Sequence, residues 1–174
     1  MLVISLGILG CGFDGSFGNS KIAQSVVKKL TKKKATLSVA ESVTGGGLAS
    51  AITDVPGSSK VFLGGVIAYD DDVKVKELSV GKKSLSKFTA VSEEVAKEMA
   101  VGALKKFKSD YAIATTGVAG PGKAYGQKAG TVWIAIASKK EVFAIALALS
   151  GSRDLIRHVA IESALASFER ILKP

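Results

Sequence analysis

A chain of 174 residues, 47% of them apolar, is long enough to bury one core without disulfides or metals. A single cysteine, Cys11, excludes an internal disulfide and suits a reducing cytoplasm; with one histidine, His158, it leaves no zinc cluster, and no apolar run approaches the ~20 residues of a membrane helix. The formal charge of +9 raises nucleic acid as a partner. Against that, the lysines sit in clusters such as Lys32-Lys33-Lys34 and Lys105-Lys106, mostly at predicted helix ends where they suit the dipole, with no interleaved aromatics. They read as a solvated surface that attracts anionic small molecules, with neither nucleic acid nor membrane as partner.

Val3 to Leu9 reads as a short buried strand. Ile8-Leu9-Gly10-Cys11 loosely resembles a lipoprotein cleavage site, but no Lys or Arg precedes it and the apolar stretch is short for a secretion signal. Residues 1–18 are therefore expected to form a strand or extension ahead of a domain over 19–174. Gly10-Cys-Gly12-Phe-Asp-Gly15 matches a dinucleotide-binding fingerprint. The following helix starts late, however, and the first acidic residue ending the next strand, Glu41, comes well beyond the expected spacing of about 20. The match reads as a coincidence.

Asn19 or Ser20 can cap a helix to about Lys33, with Ile22, Val26 and Leu30 on one face. Ala35 to Ala40 is a strand, and Gly45 to Asp54 a short helix with Leu48 and Ile52 inward, stopped by Pro56-Gly57. Val61 to Tyr69 is a buried strand whose Gly64-Gly65 suggests a bulge or a close backbone approach. Asp70 to Leu78 fits a helix with an acidic first turn. Ser92 caps a long helix from Glu93 to about Phe107, with Val95, Met99 and Ala103 as its inner stripe. Tyr111 to Thr116 is a strand running into Gly117-Val-Ala-Gly-Pro121, followed by a polar loop to about Ala129. Thr131 to Ala137 and Val142 to Leu149 alternate as a hairpin, and a last helix, Arg153 to Leu172, is expected to bury Leu155, Val159, Ala160 and Ala166. Strands alternating with helices, then a hairpin, predict a single three-layer α/β/α domain with a mixed, mostly parallel sheet.

Three segments follow strands: Ser42-Val-Thr-Gly-Gly46, Tyr69-Asp-Asp-Asp-Val-Lys74 and Thr116-Gly-Val-Ala-Gly-Pro121. Ligands of open α/β sheets bind beyond the carboxyl ends of strands, so parallel strands would bring these segments to one rim. A fourth piece, Ser150-Gly-Ser-Arg153, offers a guanidinium suited to a phosphate. A serine hydroxyl at a glycine-rich turn into a helix is placed to act as a nucleophile, but it needs a base beside it. With His158 deep in the last helix, lysine is the remaining candidate, and Lys74 closes the acidic run. Asp70, Asp71 and Asp72 are consecutive and point different ways on any regular backbone, so no metal is expected there. Ser25-Val-Val-Lys28 and Ser84-Leu-Ser-Lys87 match the S-x-x-K of penicillin-binding enzymes without its companion elements, and read as surface features.

In unbroken order from about Lys21, the motifs Ala40 to Gly46, Asp54 to Ser59, Tyr69 to Lys74, Gly117 to Pro121, Gly130-Thr-Val-Trp133 and Gly151-Ser-Arg153 resemble the C-terminal domain of the competence-damage-inducible CinA family, which includes nicotinamide-nucleotide amidases. The resemblance implies hydrolysis of the carboxamide of nicotinamide mononucleotide to nicotinate mononucleotide and ammonia, with no cofactor and no metal, in a cytoplasmic homo-oligomer. It implies Ser42 as nucleophile and Lys74 as base, with Thr44, Gly45, Gly46, Tyr69, Thr116, Gly117, Gly120 and Arg153 contacting the nucleotide. The alternative is a non-catalytic or altered-specificity nucleotide-binding domain of the same fold.

The chain departs from the family pattern in four places. Val43 stands for the usual cysteine, Asp70-Asp71 for Ser-Asn, Lys128-Ala129 for Lys-Pro after a short loop, and Gly-Ser-Arg for Gly-Asp-Arg. Carboxylates facing a lysine favour its charged form, the wrong direction for a general base. Asp71 and Asp72 are therefore expected to point to solvent, and Lys74 to turn inward within reach of Ser42. The amides of Thr44 to Gly46 are expected to receive the oxyanion.

Overall fold

A computed structural model describes residues 20–172, so the expected Val3 to Leu9 strand and the glycine motif at Gly10 to Gly15 lie outside the described residues. Six helices and five strands follow in the order α1 (Lys21–Lys33), β1 (Leu37–Glu41), α2 (Gly47–Thr53), β2 (Phe62–Ile67), α3 (Asp71–Leu78), α4 (Lys82–Phe88), α5 (Glu93–Phe107), β3 (Tyr111–Gly117), β4 (Thr131–Ser138), β5 (Val142–Ala148) and α6 (Arg153–Ile171). A short 3-10 turn, Ser58–Lys60, precedes β2. The sheet order is β2-β1-β3-β4-β5. β1 is parallel to β2 and β3, and β4 runs antiparallel to β3 and β5. This is the expected α/β/α domain with a mixed sheet.

The two faces of the sheet differ because side chains alternate along each strand. One face carries Leu37, Val39, Ile113, Val132, Ile134 and Ile136, and packs against α1, α2 and α6. The other carries Ala40, Ala112, Ala114, Ala135 and Ala137, so α5 lies across it with Val95, Met99 and Ala103 buried. Val26 and Leu30 of α1, and Leu48 and Ile52 of α2, are buried as expected. The register between β1 and β2 skips one residue, and a Cβ on Gly65 would stand 2.9 Å from the Val39 carbonyl oxygen. The unpaired residue is Leu63, so the bulge falls just before Gly64, and the close approach is at Gly65.

Three expectations need correction. β2 is not a buried strand: it lies at the sheet edge beside β1 alone, its residues alternate between half-buried and exposed, and Leu63 and Ile67 face out. α6 buries Ile156, Ala160, Ile161, Ala164, Leu165 and Phe168, whereas Leu155 is exposed and Val159 and Ala166 are half-buried. The helix packs against both α1 and α2, and that contact selects a face adjacent to the expected one. α4 was not anticipated, because Lys-Lys-Ser-Leu-Ser-Lys-Phe has no fully buried residue and hence no apolar stripe. Its start is held from α5, where Glu98 accepts from the Gly81 amide at 2.7 Å and the Ser84 hydroxyl at 2.5 Å. Ser25 likewise donates to Glu169, so both S-x-x-K serines serve helix–helix contacts.

Gly102 of α5 permits the closest helix contact, since a Cβ there would lie 2.0 Å from the Leu78 carbonyl oxygen at the end of α3. Gly102→Ala is expected to destabilise the fold by about 1–3 kcal/mol, read as a lower midpoint in urea unfolding. A wild-type midpoint would mean that α3 can shift away freely.

Candidate functional site

Because β1, β2 and β3 run parallel, their carboxyl ends open on one rim. A cleft of about 160 Å³ lies there, lined by Ser42 after β1, Tyr69 after β2, Thr116 to Pro121 at and beyond β3, Tyr125 of the following loop, and Arg153 at the start of α6. Ala90 and Val91 also line it.

Ser42 is 9% exposed. Its amide donates to the Thr115 carbonyl at 2.9 Å and its carbonyl accepts from the Gly45 amide at 3.1 Å, while its hydroxyl makes no hydrogen bond among the described residues. The turn that follows is fastened by a residue that sequence reasoning passed over. Glu41, the last residue of β1, is fully buried. Its Oε2 accepts from the Thr44 hydroxyl at 2.7 Å, the Gly46 amide at 2.9 Å and the Leu48 amide at 3.0 Å, and its Oε1 from the Ala49 amide at 2.8 Å. Gly46, the cap residue of α2, has no side chain to satisfy those amides, and Glu41 does so with charge-assisted bonds aligned with the dipole. The one signal in the sequence was a helix beginning in three glycines with an acid just upstream.

This arrangement moves two expected contacts. Thr44 is buried, its hydroxyl shared between Glu41 and Thr115 (2.7 Å), so its side chain serves the fold and does not line the cleft. Gly45 and Gly46 do not line it either, and their amides are committed to Ser42 and Glu41. Val43 and Thr44 have the uncommitted amides among the described residues of this turn.

Lys74 is inward, as expected, with 1% of its surface exposed. Its partners are not. Nζ donates to the Tyr69 carbonyl at 3.2 Å and pairs with Asp71 Oδ1 at 3.0 Å, so Asp71 turns back along its own helix to Lys74 while its side chain stays 39% exposed. The reason is local: residues three apart in a helix are neighbours, and a buried ammonium requires a counter-charge. Asp72 is exposed, and Asp70 caps α3 by accepting from the Asp72 amide at 2.8 Å. Lys74 is not among the side chains lining the cleft, and Ser42 is not among its hydrogen-bond partners.

Arg153 spans the cleft mouth. Nη1 donates to the Gly120 carbonyl at 2.6 Å and Nη2 to the Tyr69 hydroxyl at 3.1 Å, joining α6, the loop after β3 and the end of β2. Among the described residues no carboxylate pairs with it, so its charge is available to an anion. Thr116 and Gly117 line the cleft, but the Thr116 hydroxyl is spent on the Ala90 carbonyl at 2.7 Å. Tyr125 has a hydroxyl pushed above the usual phenol range, first by burial and then by the carboxylates of Asp71 and Asp70. His158 lies within α6 and does not line the cleft. No group of three or more His, Cys, Asp or Glu side chains is placed to hold a metal among the described residues, nor is any helix there long and apolar enough to cross a membrane.

The model of the CinA C-terminal domain matches residues 19–172. This chain belongs to the CinA family. It is 46% identical over 148 residues to a protein of Caldicellulosiruptor saccharolyticus described as competence-damage inducible, covering 84% of this chain and 36% of that one. It is 45% identical over 148 residues to a CinA-like protein of Flavobacterium psychrophilum, covering 84% and 35%. The chain therefore spans little more than a third of the length of these curated relatives. The crystal structure of a CinA superfamily protein from Escherichia coli superposes with a TM-score of 0.84 at 33% identity, over 95% of this chain and 94% of that one. Within this family fold, Ser42, Tyr69, the Thr116 to Gly120 strand end and Arg153 share one cleft, with Lys74 buried beside it.

Proposed function

We propose that this CinA-family chain is an amidohydrolase that converts nicotinamide mononucleotide and water to nicotinate mononucleotide and ammonia, without a metal. The observation that supports it is the cleft itself: an unengaged serine hydroxyl and an unpaired arginine face one space at the ends of three parallel strands. A carboxamide placed at Ser42 and a phosphate at Arg153 match those two groups.

In this reading the Ser42 oxygen attacks the carboxamide carbon while its proton passes to Lys74. The C–N bond then breaks as Lys74 returns that proton to the departing nitrogen, and ammonia leaves. Water hydrolyses the acyl-enzyme and restores the serine. The amide of Val43, uncommitted and in a residue that lines the cleft, replaces those of Thr44 to Gly46 as oxyanion donor. Lys74 must act as a neutral amine, so its nitrogen has to leave Asp71 and the Tyr69 carbonyl and turn toward Ser42 as substrate enters. The purified protein, treated with chelator, should release ammonia and nicotinate mononucleotide in equal amounts. No release from a folded, nucleotide-saturated protein would end this reading.

The Lys74–Asp71 pair favours a second reading, a domain of the same fold that binds nucleotide without turnover. It predicts a thermal shift with nicotinamide mononucleotide and no ammonia.

Arg153→Lys keeps the charge but loses the two-pronged contact. Nucleotide affinity is expected to fall roughly ten- to a hundredfold, the equivalent of ~1.5–3 kcal/mol, with little change for the riboside that lacks the phosphate. Equal losses for both, measured by calorimetry, would make Arg153 a shaper of the mouth through Tyr69 and Gly120.

A further inference from the structure

Arg157 lies one turn beyond Arg153 on α6 and does not line the cleft. Its Nη2 donates to the Thr44 carbonyl at 2.9 Å. The same carbonyl accepts from the Gly47 amide at 3.1 Å, and a Cβ on Gly45 would lie 3.4 Å from Nη2, so the guanidinium rests on the backbone of the turn. Among the described residues Arg157 has no carboxylate within ion-pair distance. A half-buried guanidinium without a counter-charge is costly, and this one uses its charge on a backbone carbonyl two residues after the candidate nucleophile.

The turn is gripped from two sides. Glu41 takes its N–H groups at Gly46, Leu48 and Ala49, and Arg157 takes its carbonyl at Thr44. Between these anchors lie Ser42 and the two uncommitted amides of Val43 and Thr44.

We propose that Arg157 is a positioning residue for acyl transfer at Ser42, fixing the Thr44–Gly45 peptide while Glu41 holds the amides that follow it. The inference rests on the amidase reading of Ser42. Arg157 touches neither the nucleophile nor the cleft, so it acts on turnover and not on nucleotide binding.

The test compares wild type with Arg157→Met, which keeps bulk without a donor, and Arg157→Lys, which keeps the charge and a donor. Initial rates with nicotinamide mononucleotide and backbone amide hydrogen exchange are read on the same preparations. Arg157→Met should lower kcat by about a hundredfold with KM held within about twofold, and Arg157→Lys should recover part of the loss. Amides 43 to 46 should exchange faster in Arg157→Met while those of the middle of α6 do not. Unchanged kcat, a loss confined to KM, or unaltered exchange in the turn would each overturn the proposal. So would faster exchange throughout α6, the mark of general destabilisation. If wild type releases no ammonia, the amidase reading fails by itself, and exchange in the turn still decides whether Arg157 fixes it.

Discussion

Ser42→Ala is expected to reduce ammonia release from nicotinamide mononucleotide by on the order of 10⁴- to 10⁶-fold while leaving the melting temperature almost unchanged. Loss on this scale follows removal of an attacking serine, because only binding and oxyanion stabilisation remain. Stability should hold because the Ser42 hydroxyl makes no hydrogen bond among the described residues. Nucleotide binding should also persist, since Arg153 and the loop after β3 are untouched. Lys74→Met should be similarly inactive, but less stable, because it removes a buried amine that ties Tyr69 to Asp71. Full turnover in Ser42→Ala would end the mechanism. Turnover in Lys74→Met would leave Ser42 as nucleophile and require a different base.

Glu41→Ala carries the largest expected effect on stability. It strips one hydroxyl and three amides of a fully buried acceptor in a place water cannot easily refill. Breaking a buried, charge-assisted network of this kind costs about 3–5 kcal/mol. For a chain of this size that corresponds to a fall in melting temperature on the order of 10 °C. Glu41→Gln should fall between wild type and Glu41→Ala. Its oxygen can occupy the position that accepts three of the four donors, while its amide would face the Ala49 N–H. Calorimetric melts of the three proteins read this order directly. Equal melting of Glu41→Ala and wild type would show that α2 does not depend on this carboxylate.

Much of the architecture was written locally. Leu37 to Ala40 and Tyr111 to Thr116 are short runs of apolar or small residues with no charge, which suits strands buried on both faces, and the three segments after parallel strands do reach one rim. What escaped depended on contacts distant in the chain. α4 is held by Glu98 from α5, and nothing within Lys82–Phe88 announces it. On α6 two adjacent apolar stripes were available, and packing against α1 and α2 decided between them. The Asp71–Lys74 pair, by contrast, was legible. Three-residue spacing on a helix puts the two side chains together, and expecting Asp71 in solvent overlooked the cost of burying Lys74 alone. Glu41 was legible only in part, as an acid before an uncapped glycine start. Arg157 gave no local signal of its contact 113 residues away.

The most direct test of a serine mechanism is the acyl-enzyme itself. Protein quenched in acid during steady turnover of nicotinamide mononucleotide, digested and examined by mass spectrometry, should carry the nicotinate mononucleotide acyl group on the peptide containing Ser42. Hydroxylamine added to the turnover should divert product to the hydroxamate. Rapid ammonia release with no adduct on that peptide and no hydroxamate would contradict the account, because water would then be attacking the carboxamide without Ser42 as an intermediate.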